Sequence, residues 1–103
     1  MKDFSGKIAV VTGGGAGMGR EMTKQLAEAG CSVAICDISE EDMAATVSAA
    51  EALAPQGVRI TAFRADVGKE DQVQAFAEHV RTAHETGHIH LLINNAGIGG
   101  GGS

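Results

Sequence analysis

Residues 12–20, Thr12-Gly13-Gly14-Gly15-Ala16-Gly17-Met18-Gly19-Arg20, follow the apolar run Ile8-Ala9-Val10-Val11 directly and lead into a stripe formed by Met22, Leu26 and Ala29. The short β-branched run reads as a buried strand, and the stripe reads as one face of a helix. Strand, glycine-rich turn and helix in that order bring bare main chain to a helix start. There the N–H groups and the helix dipole favour an anion, and no side chain blocks its approach. The turn is therefore a candidate phosphate cradle. Gly13, Gly17 and Gly19 are spaced G-x-x-x-G-x-G, which differs from the six-residue G-x-G-x-x-G fingerprint. Arg20 and Glu21 stand where a Walker loop needs lysine and Ser/Thr. A plain glycine-rich loop is the alternative for the turn alone; the strand before it and the helix after it favour a nucleotide.

Outward from the turn, apolar runs recur at 8–11, 33–36, 58–63 and 91–93, each pair separated by enough chain for a helix. The second intervening stripe is Met43, Val47, Ala50 and Ala54; the third is Val73, Phe76, Ala77 and Val80. This β-α-β-α-β-α-β rhythm predicts an α/β fold with a parallel sheet. Ser39 and Asp42 resemble a capping box, Gly30 is placed to stop the first helix, and Pro55-Gln56-Gly57 to stop the second. Glu70 and Asp71 suit the first turn of the third helix, and Gly87 is placed to end it. The third run alternates and includes Arg59, which predicts an edge strand, whereas the others are continuously apolar. Right-handed crossovers then give the order 3-2-1-4 in a doubly wound sheet of four strands and three helices, with the first two helices on one face and the third on the other.

That arrangement leaves an apolar fourth strand at an open edge. The sequence thus reads as the front of a larger sheet, or as a unit completed by a partner. Residues 1–98 form the predicted nucleotide-binding half, and 99–103 a glycine-rich tail that is either a truncation point or a linker.

Composition narrows the partners. The 103 residues include 13 acidic and 8 basic side chains, a formal net charge of −5, without a Lys/Arg cluster. Nucleic acid and anionic membrane surfaces are therefore excluded as expected partners. No window approaches the roughly 18 apolar residues of a membrane helix, so a cytoplasmic protein is expected. Cys31 and Cys36 lie five positions apart around one strand and face opposite sides, which predicts buried thiols and no mutual disulfide. The chain has three phenylalanines, no tryptophan and no tyrosine. No step that needs a tyrosine hydroxyl can run on these residues alone.

The remaining strand ends are polar. Asp37 closes the second strand, where a carboxylate can accept from both hydroxyls of an adenosine ribose and repel a 2′-phosphate. No lysine or arginine lies within the turn or directly after Asp37, so NAD is favoured over NADP. A solvated aspartate is the plainer alternative. Asp66-Val67 closes the third strand and Asn94-Asn95-Ala96-Gly97 the fourth, so all four ends meet one crevice at the carboxyl edge of the sheet. His84-Glu85-Thr86-Gly87-His88 spells H-E-x-x-H, but Gly87 interrupts the helix that zinc ligation needs, and the four histidines are expected on a solvent rim. No metal site is expected.

Together, Thr12-Gly13-x-x-x-Gly17-x-Gly19, Asp37, Asp66-Val67 and Asn94-Asn95-Ala96-Gly97 resemble the N-terminal, Rossmann-like half of the short-chain dehydrogenase/reductase family over nearly the whole chain. The resemblance implies that Gly13, Gly14, Gly15, Ala16, Gly17, Met18 and Gly19 line the pyrophosphate and adenosine ribose. It also implies that Asp37 holds the ribose diol, that Asp66 and Val67 border adenine, and that Asn95, Ala96 and Gly97 pass beside the ribose. Thr12 and the asparagines would in addition tie the central strands together. The family's serine and Tyr-x-x-x-Lys proton relay has no counterpart here. The resemblance therefore implies NAD-linked hydride transfer between an alcohol and a ketone for a longer chain, and cofactor binding without catalysis for this one. The alternative is a small nucleotide-binding or regulatory module that completes its sheet as a homo-oligomer.

Overall fold

In the computed structural model, which describes residues 4–85 and 88–95, the elements are β1 (Ile8–Thr12), α1 (Gly17–Glu28), β2 (Ser32–Asp37), α2 (Glu40–Leu53), β3 (Ile60–Arg64), α3 (Glu70–Ala83) and β4 (Leu91–Asn94). The described strands form one parallel sheet in the order β3-β2-β1-β4, as expected from the crossover rule. Val10 pairs with Ala34 on one side and with Leu92 on the other. Register brings Thr12, Cys36 and Asn94 level at the carboxyl edge.

Alternation along the strands divides the core in two. Ala9, Val11, Val33, Ile35 and Ile60 pack with Leu26 and Ala27 of α1 and Met43 and Ala50 of α2. On the other face Val10, Ala34 and Cys36 meet Phe76 and Val80 of α3. Cys31 belongs to the first cluster and Cys36 to the second, and both are free thiols. Burial raises the Cys31 pKa and pushes that of Cys36 up to about 11, so neither carries an activated thiolate.

Helix ends follow local chemistry. Ser39 Oγ accepts the Asp42 N–H at 3.1 Å, with Glu40, Glu41 and Asp42 in the first turn of α2. Ahead of Pro55, Ala54 turns to an extended conformation, ψ 137°. The third helix departs from expectation: α3 ends at Ala83, before Gly87, which lies outside the described residues. Arg59 Nη1 donates to the Ala83 carbonyl and the His84 ring meets Thr61 Oγ1 at 2.7 Å, so side-chain contacts to the β3 segment fasten the helix end. Arg59 itself sits just before β3 instead of within it.

Among the described residues both ends of the sheet are edges, and the β4 edge is apolar, with Leu92 63% exposed. Between β4 and α3 runs a groove of about 600 Å³ lined by residues that include Val10, Val67, Val73, Phe76 and Leu92.

Candidate functional site: the glycine turn and its carboxylate

The turn after β1 is shaped by contacts that only glycine permits. Gly13 has φ +70°, a left-handed conformation costly for other residues, and its N–H and that of Gly14 both donate to the Cys36 carbonyl, at 2.8 and 3.1 Å. A Cβ at Gly14 would lie 2.6 Å from Ile35 Cβ, and a Cβ at Gly19 only 2.0 Å from the Gly13 oxygen. The first turn of α1 therefore packs directly on the main chain of the loop. Ala16 caps α1 in an extended conformation without a side-chain hydrogen bond, and Ala16, Gly17 and Met18 are exposed. The opening N–H groups of a helix have no intrahelical acceptor, and here they stand at an open, positively polarised helix end.

Asp37, the last residue of β2, is half-buried beside this turn. Its Oδ2 accepts the Gly15 N–H at 2.9 Å and its Oδ1 the Ile38 N–H at 2.7 Å. An ionised carboxylate has about four acceptor sites, so two main-chain bonds orient it and leave capacity for two more donors. A Cβ at Gly15 would lie 2.7 Å from Asp37 Oδ2. The close approach of carboxylate and turn thus depends on glycine there.

The fourth strand end joins the same edge. Thr12 Oγ1 donates to Asn94 Oδ1 at 2.9 Å, and Asn95 Nδ2 donates to the Gly13 carbonyl at 3.2 Å. Ala96 and Gly97 lie outside the described residues. Asp66 and Val67 follow β3; Asp66 Oδ1 accepts the Gly68 N–H at 2.9 Å, and Val67 lines the groove shared with Thr12 and Asn94. The glycine turn, Asp37 and Asn95 are thus joined by direct hydrogen bonds and Thr12 is joined to Asn94, while Asp66 and Val67 stand further along the edge.

Two residues at the site escaped the sequence reading. Arg20 Nη2 donates to the Gly15 carbonyl, 2.6 Å, and its Nε donates to Thr46 Oγ1, 2.9 Å. Thr46 Oγ1 in turn donates to the same Gly15 carbonyl at 2.9 Å, and Thr46 is fully buried. A threonine in the middle of α2, between residues of its buried stripe, was the available signal.

The histidines require a correction. His84 is buried, 7% exposed, and His79 is half-buried, so they do not form a solvent rim with His88 and His90. Thr61 Oγ1 lies 2.7 Å from His84 Nε2 and 3.2 Å from His79 Nε2, and the His79 ring stacks on Phe63. Burial lowers both pKa values, that of His84 to about 4, with the Arg59 and His79 charges adding to the effect. Because α3 stops at Ala83, His84 and His88 do not share a helix face. Among the described residues no group of three or more His, Cys, Asp or Glu is placed to hold a metal ion, and no helix is long and apolar enough to cross a membrane.

A cradle that a Cβ would fill, an uncapped helix start and an oriented carboxylate suit a dinucleotide's phosphates and ribose. A putative oxidoreductase, SadH, of Mycobacterium tuberculosis is 40% identical over 98 residues, 95% of this chain and 34% of that protein. A short chain dehydrogenase/reductase of Burkholderia phymatum, solved in complex with NAD, superposes with a TM-score of 0.76 at 37% identity, covering 89% of this chain and 31% of that one. The Pseudomonas aeruginosa RhlG/NADP active-site complex gives a TM-score of 0.75 at 30% identity, over 90% and 35%. The chain spans about a third of the length of the curated relatives it matches. The short chain dehydrogenase family profile matches residues 7–103, and the chain belongs to that family.

Proposed function

We propose that this chain is the cofactor-binding portion of an NAD-dependent oxidoreductase that exchanges hydride between NAD(H) and an alcohol or ketone. In this reading residues 13–19 hold the pyrophosphate and adenosine ribose, Asp37 takes the ribose diol, Asp66 and Val67 border adenine, and Asn95, Ala96 and Gly97 pass beside the ribose. Bound NAD supplies the nicotinamide that accepts or gives the hydride.

The observation that carries the proposal is the Asp37 carboxylate on the Gly15 N–H at 2.9 Å, because it sets an oriented acceptor pair beside the bare main chain of an exposed helix start. Relatives solved with NAD and with NADP show that the family accommodates both cofactors, so the choice has to come from this chain's own residues. Asp37 disfavours a 2′-phosphate by charge. The guanidinium nearest the turn, that of Arg20, is engaged by the Gly15 carbonyl and Thr46. Buried free thiols suit a reducing compartment, which supports a cytoplasmic location. The alcohol or ketone, and any oligomeric partner, belong to the whole protein.

Calorimetric titration of the chain with NAD tests the proposal. Saturable one-site binding that is lost in a Gly19→Val variant is expected. An unmodified, folded chain that takes up no NAD at millimolar concentration contradicts it.

A further inference from the structure

Beyond the residues that would touch a dinucleotide, the turn is held from behind by a closed polar ring. The Gly15 carbonyl accepts from Arg20 Nη2 at 2.6 Å and from Thr46 Oγ1 at 2.9 Å, and Arg20 Nε donates to that same hydroxyl at 2.9 Å. Arg20 also reaches the Asp42 carbonyl at 3.3 Å, in the first turn of α2. Thr46 is 0% exposed, and its hydroxyl both accepts and donates, so it is fully satisfied only with Arg20 and Gly15 in these places. On the opposite side of the same residue, the Gly15 N–H binds Asp37. Gly15 is thus fixed through both of its peptide groups, one to β2 and one to α2.

We infer that Thr46 and Arg20 are positioning residues for the ribose site: they hold Gly15 so that its N–H orients the Asp37 carboxylate, and α2 thereby sets the geometry of cofactor recognition although neither side chain is placed to touch the cofactor. This rests on the dinucleotide reading above. Replacing the Thr46 hydroxyl by an apolar group leaves the Arg20 Nε and the Gly15 oxygen each short of one partner, so that Arg20 Nη2 alone still holds that carbonyl. A valine at position 46 would preserve the packing and remove only the hydrogen bonds.

The test uses Thr46→Val, Thr46→Ser and Arg20→Met in the full chain, read two ways. Amide hydrogen exchange by NMR, without ligand, follows the Gly15 N–H against the core N–H groups of Val33 and Ile35. Calorimetry follows NAD affinity. Thr46→Val and Arg20→Met are expected to speed Gly15 exchange and to weaken NAD binding by about tenfold each, the scale of one lost buried hydrogen bond, while the core amides keep their protection. Thr46→Ser restores both. Arg20→Met, at a half-buried position, carries the test should Thr46→Val fail to fold. Gly15 exchange and NAD affinity within about twofold of the parent in the folded variants overturns the inference, as does an equal loss of protection at Val33 and Ile35, which marks general destabilisation. A parent chain that takes no NAD defeats the dinucleotide reading; the clamp on Gly15 is then decided by exchange alone.

Discussion

The Asp37 carboxylate and the Gly15 amide, 22 positions apart in sequence, are joined by a hydrogen bond of 2.9 Å. Parallel register makes this possible: Thr12 pairs with Cys36, so the turn that leaves β1 runs beside the last residue of β2. The carboxylate is held by main chain on both oxygens, since Ile38 N–H meets Oδ1 at 2.7 Å. An acceptor oriented before the ligand arrives loses little freedom on binding, which favours recognition of a diol.

Glycine is required at position 19 for lack of space, and at position 17 for backbone conformation. A methyl at Gly19 would sit 2.0 Å from the Gly13 oxygen, which Asn95 Nδ2 also uses, whereas a Cβ at Gly17 meets nothing within 4 Å but its φ is +56°. Gly19→Ala is expected to destabilise the chain by roughly 2 kcal/mol or more through forced main-chain displacement. Gly17→Ala should cost about 1 kcal/mol, the left-handed penalty alone. Urea denaturation of the two variants measures the difference; equal costs would contradict the packing of α1 on the loop.

Acid should loosen the α3 end. The pKa of His84 falls from its ordinary 6.5 to about 4 in the folded chain, chiefly because burial penalises the charged ring. The unfolded state therefore binds more protons between these values, so stability is full above pH 6.5 and declines as pH falls toward 4. Linkage gives a loss of about 2 kcal/mol between pH 7.5 and 5 from this residue. Denaturant unfolding across that range should show the decline, and His84→Gln should flatten it. A stability that stays level in the parent would count against a buried neutral His84.

Without a tyrosine anywhere in its 103 residues, the chain is expected to transfer no hydride. The family's proton relay depends on that hydroxyl, and general acid–base assistance contributes about 10²–10⁴-fold to such steps. NADH absorbance with a panel of alcohols and ketones provides the assay. Turnover that persists through repurification would contradict the assignment of this chain to cofactor binding alone.

Most of the fold is legible in the residues themselves, because parallel strands buried on both faces demand continuous apolar runs and their crossover helices demand one apolar stripe each. Ser39, Pro55 and Gly30 mark helix ends by chemistry confined to a few neighbouring residues. The end of α3 is not legible in that way, since Arg59 and Thr61, from the β3 segment, fasten it. The site divides on the same line. Gly13, Gly19 and Asp37 announce themselves through local spacing, whereas the Arg20–Thr46 pair joins residues 26 positions apart: a threonine among the buried stripe of α2 marks one member, and no local pattern marks its partner. His84 follows the same rule: the Thr61 hydroxyl that meets its ring lies 23 positions away.

On the proposed reading, Asp37 selects an unphosphorylated ribose beside the glycine turn. Paired calorimetric titrations with NAD and NADP, on the parent chain and on Asp37→Ala, test that selection. The parent should bind NAD about tenfold or more tightly than NADP, the scale of one charge-assisted hydrogen bond, and Asp37→Ala should erase that preference by weakening NAD and relieving NADP. A preference that survives unchanged in Asp37→Ala, or a parent that binds NADP more tightly, would contradict selection of the cofactor by Asp37.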